Sequence, residues 1–117
     1  MNIEEFREYC LSLEGVTEKI PFGKFARKFE STLVFYVLDH MFCLVDMDDF
    51  TEVTFRSTTD EITEISGRYD CVHRPVNPAL KLWVSVSLNQ DMPDHEIFRF
   101  VGQAYEIIKN KYEKKKG

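Results

Sequence analysis

Between Leu33 and Arg56 the chain passes through three apolar segments of strand length, residues 33–38, 41–45 and 52–56. Each is closed by polar residues and is rich in β-branched and aromatic side chains, the composition that fits a pleated, half-buried surface. Asp39-His40 is a break of hairpin length, although it lacks the glycine that a primed turn prefers. Asp46-Met-Asp-Asp-Phe-Thr51 makes a second, longer break. The stretch reads as a β-meander, and a meander with an apolar face needs helices to cover it.

Such helices stand on either side. Asn2 followed by Glu5 has the spacing of a capping box, in which each residue satisfies a free backbone N–H of the other. Ile3, Phe6, Cys10 and Leu13 then form an apolar stripe at helical spacing, and Gly15 sits where a glycine would end the helix. The first helix is expected over residues 3–13. At the other end Pro93 suits a first helical turn, and Asp94 and Glu96 complement the positive end of the helix dipole. Ile97, Val101, Ala104, Ile108 and Tyr112 supply the stripe of that last helix.

The connecting segments are less regular. Residues 16–24, with Pro21-Phe22-Gly23, read as a loop with Phe22 turned inward, and residues 26–30 as a short basic edge strand. Thr58-x-x-Glu61 is a second capping box, with Ile62 and Ile65 as a narrow apolar face and Gly67 as the stop of a helix of about two turns. Residues 68–81 carry two prolines and no clear period. They are expected to form an ordered loop, with an extended piece at 71–73 and a helical turn near 78–81. Residues 82–88 alternate, with Leu82, Val84, Val86 and Leu88 on one side and Trp83, Ser85 and Ser87 on the other. The fold class is therefore α+β: an antiparallel sheet of about five strands in the order α-β-β-β-β-α-β-α, with helices gathered largely on one face.

Composition limits the function classes. The length of 117 residues fits a single domain spanning residues 1–117, and 44% hydrophobic residues with ten phenylalanines supply a core. No apolar run reaches the roughly 18 residues that span a bilayer, and the start lacks the basic and then apolar pattern of a signal peptide. The expectation is a cytoplasmic protein without membrane contact. Cys10, Cys43 and Cys71 are an odd number without C-x-x-C spacing, which reads as free thiols. The net charge of −5 is unevenly spread. Eight acids from Asp39 to Glu64 face Arg56 alone, a local −7, whereas five lysines from Glu106 to Lys116 face two glutamates, a local +3. Lys24, Arg27 and Lys28 make another small basic group.

Catalytic and metal constellations are sparse. Cys71 and His73 would share a face of a strand, the minimum for a nucleophile and its base, and the alternative is a core cysteine beside a surface histidine. The three histidines and three cysteines have no zinc-ligand spacing. Asp46, Asp48 and Asp49 resemble the start of a calcium loop, but Thr51 and Ser57 stand where its glycine and last glutamate belong, so the segment reads as a solvated turn. No phosphate-binding glycine loop occurs. The expectation is a domain without enzymatic activity, metal or cofactor. Trp83 faces away from the apolar side of its strand, so it either packs beneath a loop or helix or offers a stacking surface. Arg56 and Lys81 are expected close to it. The C-terminal lysines complement the dipole of the last helix.

Taken together, Cys10-Leu11, Gly15-Val16-Thr17-Glu18, Pro21-Phe22-Gly23, Phe42-x-Leu44, Val53-Thr-Phe-Arg56, Trp83-Val-Ser-Val and Ala104-Tyr105-Glu106-Ile-Ile follow the order and spacing of the MmcQ/YjbR family of small bacterial proteins. The chain resembles that family over nearly its whole length. The resemblance implies a double-wing α+β domain and a DNA-binding role assigned by structural analogy. Family members usually carry lysine where Arg56 stands and a glycine-lysine turn where Leu38-Asp39-His40 stands, so this chain has an acidic tip in place of a basic one. Two functions follow. In the first, Lys24, Arg27, Lys28, Arg56 and Lys81 contact the phosphates of DNA, with Trp83 stacking or supporting. In the second, the domain binds a protein or small molecule at a site near Trp83 and no nucleic acid.

Overall fold

The computed structural model describes residues 1–20 and 31–113. The chain forms α1 (Ile3–Ser12), β1 (Val16–Lys19), β2 (Thr32–Val37), β3 (His40–Asp46), β4 (Glu52–Arg56), α2 (Thr59–Arg68), β5 (Val72–His73), β6 (Trp83–Ser87) and α3 (Asp94–Glu113). The six strands make one antiparallel sheet in the order β1-β2-β3-β4-β6-β5. The α+β class, the antiparallel sheet and the shared helical face are as the sequence implies.

Several details differ. Val16–Lys19 is a strand rather than the start of a loop, because its four residues pair in full register with β2, from Val16 opposite Val37 to Lys19 opposite Val34. Among the described residues the sheet has six strands, two of which are not counted among those expected from the sequence: β1, and the brief extended piece at Val72–His73, which pairs with Val86 and Ser85 of β6. The loop and edge strand expected between residues 21 and 30 lie outside the described residues. Gly67 does not stop α2, which runs one residue further to Arg68 and is capped by Tyr69.

Local chemistry explains most boundaries. Asn2 accepts from the Glu5 N–H at 2.8 Å and Glu5 returns the bond to the Asn2 N–H at 2.9 Å, closing the capping box of α1. The Val16 N–H reaches the Leu13 carbonyl, and Gly15 lies between them at φ 80°, the third position of a turn that requires a positive φ. At the β2–β3 hairpin the turn residues are Leu38 and Asp39 (φ 52° and 65°), not Asp39 and His40. His40 already pairs with Val37. Two consecutive positive φ values are the mark of a type I′ turn, here built without asparagine or glycine.

One register irregularity shapes the core. Phe35 pairs with Cys43 but Tyr36 with Met41, so Phe42 is an extra residue bulged out of β3. The bulge lets neighbouring Phe42 and Cys43 both be fully buried. Phe42 meets Tyr105 of α3 edge-to-face at 5.7 Å, and Cys43 lies 4.0 Å from Cys10 of α1, sulfur to sulfur. Both thiols are free, and burial first, then its neighbour Cys10, raises the Cys43 pKa well above the usual range. Phe6, Phe35, Phe55, Ile65, Ile97 and Phe100 fill the rest of a core to which all three helices contribute. The His40 ring stacks on Tyr112 at 3.4 Å, joining the hairpin tip to the end of α3. Among the described residues no helix is long and apolar enough to cross a membrane.

Candidate ligand-binding groove

Among the described residues, a concave surface of mixed polar and apolar lining lies at the corner where α2 meets β5 and β6. The junction is built by short-range bonds. Buried Ser57, between β4 and α2, donates its N–H to the Leu82 carbonyl at 2.7 Å and its hydroxyl to Glu61 at 2.7 Å. Thr58 caps α2 by accepting from the Glu61 N–H at 3.1 Å. On the facing side the Asn77 side chain accepts from the Ala79 N–H at 2.9 Å, and the Trp83 N–H reaches the Leu80 carbonyl. These turns deliver Lys81, Leu82 and Trp83 to the start of β6. The start of α2 and the start of β6 are thus tied together through Ser57.

Between them is a groove of about 350 Å³ lined by Thr59, Ile62, Thr63 and Ser66 of α2, Val72, His73 and Arg74 at β5, and Lys81 to Val84 at β6. Thr59, Thr63 and Ser66 are spaced four and three apart, so they share one helix face. The acids of the same helix, Asp60, Glu61 and Glu64, do not line the groove. The His73 Nδ1 lies 3.2 Å from the Arg74 carbonyl oxygen. Nε2 faces the Ser87 hydroxyl at 3.3 Å and Glu52 at 3.2 Å.

The residues singled out from the sequence fall into three groups. Trp83 and Lys81 line the groove, and Arg56 pairs directly across from Trp83 in the sheet, with its Nε donating to the Ser57 carbonyl at 3.2 Å. Lys24, Arg27 and Lys28 lie outside the described residues, as do Lys114 to Lys116. Arg74 was not singled out, since it sits in an aperiodic, proline-bearing stretch. Its one sequence signal is its position after the brief extended piece that ends at His73.

Ion pairing distinguishes this corner. Arg7 binds Glu18 at 2.6 Å, Arg68 approaches Glu64 and Glu96, Arg99 binds Glu96 at 2.7 Å and Lys109 approaches Glu14. Lys19 and Lys111 lie over the rings of Tyr36 and Tyr112. Among the described residues, Arg56, Arg74 and Lys81 are the cations with neither a carboxylate nor an aromatic face in contact.

The cysteine–histidine pair considered from sequence is not brought together as a reactive couple. The Cys71 thiol is turned to Asp91, and burial followed by that carboxylate pushes its pKa up to about 11. Asp91 also accepts from the Asp70 and Cys71 N–H groups at 2.6 and 3.0 Å. The Asp46 turn closes on itself, its carboxylate accepting from Ser31, Asp48 and Asp49. Among the described residues no group of three His, Cys, Asp or Glu side chains is gathered to hold a metal ion.

Comparison with solved structures finds the same architecture elsewhere. The Deinococcus radiodurans protein DR2400, a DUF419 domain, superimposes with a TM-score of 0.81 at 21% identity, over 94% of this chain and 80% of that one. A Pseudomonas syringae protein superimposes with a TM-score of 0.71 at 15% identity, over 92% of this chain and 98% of its own. At these identities the likeness is one of fold. A search of curated proteins returned no match. The family model described as YjbR matches residues 11–107, a span that runs from the end of α1 through most of α3 and includes the whole groove. The chain belongs to the YjbR family.

Proposed function

We propose that this is a binding domain without catalytic activity, whose site is the groove between α2, β5 and β6 and whose ligand is a small anion with a flat or apolar part. The carrying observation is the grouping of Arg56, Arg74 and Lys81 around Trp83, while the other described cations are engaged by carboxylates or rings. Cations left without partners beside an aromatic and four aliphatic side chains suit a ligand that is charged at one end and apolar at the other. A reading without catalysis is supported by the Cys71 thiol, which is held protonated at neutral pH and away from His73.

Trp83 is the single tryptophan of the chain, so its emission reports on the groove directly. Titration with a panel of small aromatic anions is expected to shift that emission saturably, and Arg74→Ala and Lys81→Ala to weaken the response. A Trp83 signal indifferent to every member of the panel would remove the proposal.

The same cations also support the second reading, nucleic-acid binding, since a basic edge beside a stacking ring is how single strands are held. That reading predicts affinity for a short oligonucleotide that falls steeply with salt, through counterion release. The acidic hairpin tip at Asp39 and the net charge of −5 oppose it. Low-salt titration with an unstructured oligonucleotide tests it: affinity no greater than that of an unrelated acidic protein excludes it.

A further inference from the structure

We infer that the anion taken by this groove is a nucleoside monophosphate, with its base against Trp83 and its phosphate between Arg74 and Lys81. The inference rests on the binding reading above and narrows it to a ligand class.

Charge comes first. Two cations line the groove, a third stands across the sheet from Trp83, and no carboxylate is among the lining residues. Such a site favours a dianion over a monoanion. Arginine presents a planar fork that matches two phosphate oxygens, and lysine adds a compact point charge. A phosphomonoester therefore fits better than a carboxylate.

Size and lining come next. About 350 Å³ lies at the lower end of the roughly 300–1,000 Å³ range of small-molecule sites, enough for one nucleotide. An inorganic anion leaves Trp83, Ile62 and Val72 without a role. A purely aromatic acid leaves without a role the face of α2 that presents Thr59, Thr63 and Ser66 to the groove. The Thr63 hydroxyl donates to the Thr59 carbonyl at 3.0 Å and offers the groove its accepting side, while the Thr59 and Ser66 hydroxyls both donate and accept, which suits the hydroxyls of a sugar. Base, sugar and phosphate each find matching side chains in the lining: Trp83, the α2 hydroxyls, and Arg74 with Lys81.

The test uses the intact chain and the emission of Trp83. AMP is the probe, compared with adenosine, ribose 5-phosphate, inorganic phosphate, phenyl phosphate, indole-3-acetate and a short oligodeoxyadenylate. Saturable binding of AMP is expected, with adenosine and ribose 5-phosphate each at least about tenfold weaker, since each lacks one anchoring part. Arg74→Ala and Lys81→Ala are each expected to weaken AMP by about tenfold or more, the loss of one charge-assisted contact, while their thermal unfolding matches the parent. Adenosine binding as tightly as AMP would overturn the inference, because the cations would then be unused. Inorganic phosphate binding as tightly would overturn it too, because Trp83 would be unused. Phenyl phosphate, indole-3-acetate or the oligonucleotide binding where AMP does not would overturn the nucleotide assignment while leaving a functional groove. Silence from all the probes would remove both the assignment and the groove reading beneath it.

Discussion

Where β3 and β4 lie under α3, the chain spends its aromatic residues on one another: Phe42 meets Tyr105, His40 stacks on Tyr112 and Phe55 lies parallel to Phe100. At the corner where α2 meets β5 and β6, Trp83 makes no such pair among the described rings, and the nearby arginines and lysine lack carboxylates. One region is self-satisfied and the other is not. Internal satisfaction is what stability requires, because buried groups left without partners cost free energy. Groups left without partners at a surface lose nothing to water and are free to meet a ligand. The contrast separates residues that hold the fold from residues that the fold merely carries.

Substitutions at the two places should therefore behave in opposite ways. The largest effect is expected at the bulge. Phe42→Ala removes a fully buried ring and should cost about 3–5 kcal/mol in urea unfolding. A cost under about 1 kcal/mol would mean that the core closes around the gap. Next comes the hairpin tip. Leu38 holds φ 52° with its side chain largely exposed, so Leu38→Asn should stabilise by about 1 kcal/mol, seen as a higher urea midpoint at unchanged slope. No gain would show that the Leu38 side chain contributes as much as its backbone costs.

Smaller still, Arg74→Ala and Lys81→Ala should leave stability within about 0.5 kcal/mol of the parent. A larger loss at either would place that residue among the fold-holding group and blur the contrast. The subtlest effect appears only against pH. Hydrogen bonds from the Cys71 thiol, and then from the Asp70 N–H, hold the Asp91 carboxyl below its usual value of 3.8. The folded pKa is depressed, so the stability that Asp91 contributes is present above that ordinary value and is lost as pH falls through the folded one. Asp91→Asn keeps one accepting oxygen but cannot titrate. The stability gap between parent and variant should therefore narrow on acidification from about pH 5 downward. A gap that stays constant would mean that the carboxylate charge plays no part.

How much of this was legible in the sequence varies with the range of the interactions involved. The capping box of Asn2 and Glu5 was readable to the atom, because both partners lie within one turn. The alternation of β6 was readable because Val84 and Val86 make one side uniformly apolar and buried; on the other side Trp83 and Ser87 remain partly exposed, while Ser85 is buried against the Thr54 hydroxyl. β1 was not readable, since Val16-Thr-Glu-Lys19 has one apolar residue and becomes a strand only through bonds to residues 34–37. The two-residue β5 depends in the same way on Ser85 and Val86. The position of the hairpin turn was missed by one residue, because local preference disfavours leucine at positive φ and strand pairing overrode it. At the groove, Trp83, Arg56 and Lys81 were accessible to reasoning about a strand and its neighbours. Arg74 was not, because its role comes from where a loop returns rather than from any periodic pattern.

The bulge in β3 also bears on how the chain can change length. In an ordinary strand, losing one residue sends every following side chain to the opposite face. At Phe42 the opposite holds, because it is the residue without a partner on β2. Its deletion would leave Met41 opposite Tyr36 and Cys43 opposite Phe35, with every other side chain of β3 on its present face. The ladder would become regular, and the cost would be a ring-sized hole beneath α3. At this one position in the meander, a deletion and a truncation to alanine become nearly the same lesion.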